Sequence, residues 1–215
     1  MLAARSADEV ARAVTAIREA GGAASAARLD VTDVEGAGDW IAQQAPFDIL
    51  VNNAGTNRPG PFLETRTEDY DAVFALNVRA AFFLTRAVAG SLIAASRPGS
   101  IINMSSQMGH VGEARRSVYC TTKHAVEGMT KAIAAELGPH GIRVNSICPT
   151  FIETPMTRPY FEDAAFKAHV LSKIRLGRLG RVEDIMGAVV FLASDASALM
   201  TGSALMLDGG WTSTS

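Results

Sequence analysis

Cysteine is scarce, with two residues in 215, Cys120 and Cys148, and no CxxC pair. That excludes a disulfide framework and a cysteine-rich metal module, and it fits a reducing compartment. An excess of one charge is also missing, since 20 Lys and Arg stand against 22 Asp and Glu, net −2 at pH 7. Such a balance offers no electrostatic handle for nucleic acid or an anionic membrane. The longest uncharged runs carry Gly, Ser or Pro and fall short of the ~18–20 apolar residues that span a bilayer. No basic segment followed by an apolar one opens the chain, so a cytoplasmic location is expected. The four histidines, His110, His124, His140 and His169, show no metal-ligand spacing, and no metal is expected.

What is present suits one globular domain with a sizeable core, at 215 residues and 48% hydrophobic composition. Helical and strand patterns alternate without repeat or linker. The periodicity predicts helices over 7–20, 33–44, 67–95, 117–138, 161–173 and 182–194. Strands are predicted over 23–31, 47–55, 99–106, 142–150 and 203–210. Thr67 reads as a helix N-cap, with Glu68 and Asp69 in the first turn. Alternating elements with continuously apolar strands define an α/β fold, a doubly wound parallel sheet with helices on both faces.

In such sheets ligands sit beyond the carboxyl ends of the strands. Those ends carry Asp30-Val31, Asn52-Asn53-Ala54-Gly55, Ser105-Ser106 and Pro149-Thr150-Phe151-Ile152. Turn formation explains the Gly and Pro but not two adjacent asparagines or two adjacent serines. Along helix 67–95, Tyr70, Phe74, Asn77, Ala81, Leu84 and Val88 form a core-facing stripe with Asn77 as its polar member. A buried amide without partners costs about 1–3 kcal/mol. Asn77 must therefore be bonded, either to nearby backbone as a structural residue or within a site.

Tyr119 and Lys123, four positions apart at the start of helix 117–138, share one helical face. A phenol titrates near pH 10, so bringing it to neutrality takes roughly three units, about 4 kcal/mol. A cation about 4 Å away supplies that order of energy at an effective dielectric near 20. The pair can make a proton-transfer site, although such a pair is more often a half-buried ring beside a solvated charge.

Taken together, NNAG at 52–55, ALNV around Asn77, NMSS ending at Ser106, YCTTK at 119–123, and a Pro-ended strand with FIET resemble the short-chain dehydrogenase/reductase family. Ser106, thirteen residues before Tyr119, matches the family's serine, and the likeness runs from Arg5 to Trp211. The resemblance implies an enzyme exchanging hydride between NAD or NADP and a small carbonyl/alcohol pair. It assigns Tyr119 as general acid/base, with Lys123 lowering its pKa and holding the nicotinamide ribose. Ser106 would bind the substrate oxygen, and Asn77 a water of the proton relay. By the same resemblance Asp30 and Val31 flank the adenine, and Asn53, Ala54 and Gly55 the ribose. Pro149, Ile152 and Thr154 lie at the nicotinamide, and Arg5 beside the 2′-position, where an arginine leans toward NADP.

The family's opening strand and glycine-rich turn have no counterpart here; GAGDWI (36–41) follows the wrong strand. The expectation is a single Rossmann-type domain over 1–215 lacking its N-terminal β-α-β opening, with its sheet split and apolar edges exposed. A non-catalytic scaffold of the same fold is the alternative to an enzyme. The substrate is expected to meet Met108, Arg116 and the loop 107–117, under a lid over 153–180. Arg115 and Arg116 could grip a carboxylate or phosphate, with Glu113 neutralising one of them. MGHVGEARRSVYCTTKHAVEG and PTFIETPMTRP look most like the sugar-acid and polyol dehydrogenases, with 3-oxoacyl reductases as competitor. A stripe of small residues, Thr121, Ala125, Gly128, Ala132 and Ala135, suggests a subunit interface and a homodimer or homotetramer.

Overall fold

The computed structural model describes residues 1–155 and 157–213. Strand β1 (Leu2–Ala4), helix α1 (Ala7–Glu19) and strand β2 (Ala26–Arg28) open the chain. Ser6 caps α1 by accepting from the Glu9 amide. Helix α2 (Val34–Ala42), capped by Asp33, leads to β3 (Ile49–Asn52). Helices α3 (Thr67–Phe74) and α4 (Ala81–Ala94) are joined by a π-helical turn over Ala75–Ala80. Then follow β4 (Gly99–Met104), α5 (Ser117–Leu137), β5 (Ile142–Pro149), α6 (Ala164–Lys173), α7 (Val182–Ala193) and β6 (Ala204–Leu207). Met156, inside the segment read as a lid, lies outside the described residues.

All strand pairs are parallel, in the order β3-β4-β5-β6, with β1-β2 forming a separate pair. This division is the one the sequence reading expected. It leaves β3 as a free edge on which Ile49 is 45% and Val51 37% exposed. Alternation along β4 and β5 supplies both faces of the core. Ile101, Ile142 and Val144 pack with Val88, Ala89, Leu92, Ala134 and Ile41 on one side. Ile102 and Ile147 pack with Ala188 and Leu192 on the other.

The stripe on the long helix differs from the expected one. Tyr70 is 42% exposed, and the buried series runs Val73, Asn77, Ala81, Thr85. Spacings of four drift around an ordinary helix of 3.6 residues per turn. The wide turn at Ala75–Ala80 absorbs the extra residue and keeps Asn77 aimed inward. The continuous helix Thr67–Ala94 has the length and hydropathy of a membrane span, contrary to the sequence reading, but Val73, Val88, Ala89 and Leu92 are buried within the protein. Its cap is Arg66 rather than Thr67, without a side-chain hydrogen bond.

Candidate active site

The carboxyl ends of β3, β4 and β5 meet above the N-terminal half of α5. Of the two adjacent asparagines, Asn52 faces inward. Its amide donates to Asn103 Oδ1 at 2.8 Å and Thr85 Oγ1 at 3.0 Å, and Asn103 donates in turn to Thr130 Oγ1 at 2.9 Å. This chain of buried bonds ties β3 and β4 to α4 and α5, so the first asparagine is an anchor. Asn53 and Ala54, just beyond the strand, are exposed.

Asn77 reaches the same loop. Its Oδ1 accepts from the Thr56 amide at 2.8 Å, while Nδ2 donates to Thr56 O at 2.9 Å and to Thr122 Oγ1 at 3.1 Å. The backbone partnership left open by the sequence is therefore present. Gly55 passes so close that an added Cβ would lie 3.4 Å from Asn77 Oδ1 and 4.0 Å from Lys123 Nζ.

Ser106 is buried, accepting from the Met108 amide at 3.1 Å and donating to Pro149 O at 3.5 Å. Lys123, also buried, donates to Met104 O at 2.7 Å, and its ammonium stands 5.5 Å from the Tyr119 ring centre. The sequence argument expects Lys123 to draw the phenol down. In the structure burial pushes the Tyr119 phenol up, opposed by the Ser106 hydroxyl and by the charge of Arg116. Burial also brings Lys123 down to about 8, against the pull of Cys148 and Glu127. Among the charges acting on the phenol, that of Arg116 draws it down, while Lys123 donates to the Met104 carbonyl.

Arg116 is only 8% exposed, its guanidinium 5.2 Å from the Phe151 ring centre, 5.8 Å from Tyr160 and 6.0 Å from Phe166. Arg115 by contrast is exposed, at φ 63°. Glu113 neutralises neither arginine but lies 3.5 Å from His169 on α6. Met108 is packed among Val170, Ile174, Leu179 and Trp211. Pro149 ends β5, Ile152 bridges to Gly180, and Thr154 accepts from the Thr157 amide through Oγ1 at 3.3 Å. Arg5 and Asp30 sit apart from these groups at the ends of β1 and β2. Hydrogen bonds from Thr32 are the main cause that holds the Asp30 carboxyl below its ordinary value, and the Arg5 charge adds a little.

Sequence reasoning missed Thr122, which links Asn77 to the Tyr119 carbonyl through a 2.8 Å bond. It also missed Gln107, buried beside Ser106 with neither amide atom hydrogen-bonded. A glutamine directly after two strand-end serines was the available signal. Asn57 Oδ1 and Thr150 Oγ1 are likewise buried and unpartnered. Thr150 and Ile152 line a cleft of about 490 Å³.

Parallel strands covered by helices, with polar side chains gathered beyond the strand ends, make this a Rossmann-type α/β protein. The family described as enoyl-(acyl carrier protein) reductase matches residues 1–212. The chain belongs to the short-chain dehydrogenase/reductase family and is an NAD(P)-dependent oxidoreductase. It is 42% identical to L-xylulose reductase of Bos taurus over 186 residues, covering 86% of this chain and 76% of that one. Identity to gluconate 5-dehydrogenase of Gluconobacter oxydans is 37%, covering 97% and 82%. A crystal structure of gluconate 5-dehydrogenase from Burkholderia cenocepacia, in complex with NADP and tartrate, superposes with a TM-score of 0.94 at 33% identity, covering all of this chain and 85% of that one.

Proposed function

We propose that the chain interconverts a carbonyl and a secondary alcohol on a small polyhydroxylated substrate, a sugar acid or a ketose. The observation that carries this is the convergence of Ser106, Tyr119 and Lys123 beyond the strand ends with Arg116 buried next to them. The relatives named for L-xylulose and gluconate support the substrate class. An arginine held among three rings is a fixed cation suited to a carboxylate. An acyl-carrier substrate would call instead for an apolar tunnel and a basic patch.

The residues present fit the nicotinamide half of NAD or NADP. Asn57 Oδ1 and Thr150 Oγ1 are buried acceptors in want of a donor, and Gly55 keeps the 53–56 loop open beside Lys123. Asn53, Ala54, Gly55 and Lys123 would hold the ribose, and Pro149, Ile152 and Thr154 the nicotinamide. Asp30 and Val31 would flank the adenine, and Arg5, exposed at the end of β1, would favour a 2′-phosphate. The cofactor when bound supplies or accepts the hydride.

In reduction Tyr119 donates its proton to the carbonyl oxygen, and Ser106 fixes that oxygen by a hydrogen bond. Asn77 locks the loop through Thr56 and, in the family's scheme, holds the water that returns the proton. Met108 walls the substrate side, and 153–180 serves as a lid. The free thiols Cys120 and Cys148 support a cytoplasmic setting. The exposed small residues of α5 support a homodimer or homotetramer.

The test follows NADPH and NADH oxidation with ketoses and keto-sugar acids. Tyr119→Phe is expected to lower turnover by about 10²–10⁴-fold with unchanged fold and cofactor binding. Turnover within twofold of the parent would remove Tyr119 from the chemistry.

A further inference from the structure

Behind Lys123, three chemically different side chains from three elements converge. His110 ends the turn that follows Ser106, Glu127 lies one helical turn beyond Lys123 on α5, and Cys148 precedes Pro149 on β5. Glu127 and Cys148 are buried, and the His110 side chain is 31% exposed. Cys148 Sγ is 3.4 Å from His110 Nε2 and 3.4 Å from Glu127 Oε1, and His110 Nε2 is 3.6 Å from Glu127 Oε2. Glu127 and Cys148 act on Lys123 through charge, and none of the three side chains has a role in the proposed proton or hydride transfer.

The spacing is that of a ligand set. Bonds of about 2.0–2.3 Å to a tetrahedral zinc ion put neighbouring ligand atoms about 3.3–3.8 Å apart; both contacts of Cys148 Sγ fall in that window, and one ligand atom from each of the three side chains lies within 4.8 Å of the others. The His110 Nε2–Glu127 Oε2 distance of 3.6 Å is too long for a hydrogen bond, and the hydrogen bonds that join the three groups run through Cys148 Sγ. One thiolate, one carboxylate and one neutral imidazole suit a borderline-soft dication, and their charges sum to the opposite of Zn²⁺. Ser146 Oγ, 2.9 Å from Glu127 Oε2, orients the carboxylate from behind.

We propose that His110, Glu127 and Cys148 form a zinc-binding site, its fourth position open toward solvent on the His110 side. On binding, the Cys148 thiol releases its proton to solvent as the zinc–sulfur bond forms. The geometry gives the ion a mechanical role. It joins the turn carrying Ser106, the helix carrying Lys123 and the strand end that accepts from Ser106. The linear sequence hides the site, because its ligands are 17 and 21 residues apart and only the fold assembles them.

The experiment titrates the purified protein with Zn²⁺ and, separately, with Co²⁺, reading metal content by mass spectrometry and cobalt absorption. Expected are about one zinc per chain and a thiolate-to-cobalt charge-transfer band. Cys148→Ser, nearly isosteric, loses the band, and His110→Ala, at the exposed ligand, weakens zinc binding by at least about tenfold. Cys120→Ser keeps both signals. A band that survives in Cys148→Ser, zinc affinity unaltered in His110→Ala, or no binding by a folded protein would each overturn the proposal. The last outcome would leave the cluster a hydrogen-bonded network.

Discussion

At the scale of single residues, the site holds two groups whose charged forms are penalised by burial. Tyr119 is pushed above its ordinary value and Lys123 down to about 8. The signs give opposite pH dependences for the two directions of the reaction. Alcohol oxidation needs the phenolate as base, so its rate should climb as pH rises through the alkaline range. Carbonyl reduction uses the protonated phenol, abundant at neutrality, and should hold level until Lys123 loses its charge near pH 8, then fall. Steady-state pH–rate profiles in both directions check this, and an oxidative profile that is flat above neutrality would contradict it.

Elements decide how closely these residues approach. The turn over Gln107–Gly109 lies directly on α5, where a Cβ at Gly109 would stand 2.9 Å from Lys123 O and 3.0 Å from Glu127 Cγ. A backbone carbonyl cannot step aside, so Gly109→Ala should lift the turn and carry Ser106 with it. We expect a loss of about 1–3 kcal/mol in thermal or urea unfolding, with a fall in kcat larger than the change in KM. Elements were also what the sequence showed best. Apolar runs and cap residues located nearly every helix and strand, because burial enforces period there. The predicted strand 23–31 shrank to Ala26–Arg28, since a two-stranded pair with no buried residue exerts little selection for pattern. The stripe through Tyr70 slipped because a regular period was assumed across a π turn. Asn77, Ser106, Tyr119 and Lys123 were singled out together only through the family resemblance of their motifs, since spacing by itself left each with a structural reading. The ring box around Arg116 and the Glu113–His169 contact were not legible, as both depend on how α6 folds back over α5.

For the molecule as a whole, two surfaces stand out. One is the outer face of α5, where Thr121, Gly128, Ala132 and Ala135 are all exposed and an added Cβ at Gly128 meets nothing. Small side chains permit a second helix to pack closely, as the proposed oligomer requires. Ala132→Glu should then shift sedimentation toward the monomer without lowering secondary structure, and an unchanged sedimentation coefficient would move the interface elsewhere. The other surface is the free edge of β3. It separates a four-stranded sheet with core on both faces from β1, α1 and β2, whose buried residues are Val10 and Val14 alone among the described ones. Helix α2, which follows β2 along the chain, packs on α4 beside the sheet. Cooperativity should therefore be uneven. Amides of β1 and β2 would exchange with deuterium through a sub-global opening well below the free energy of complete unfolding, while those of β4 and β5 would wait for the whole molecule to open.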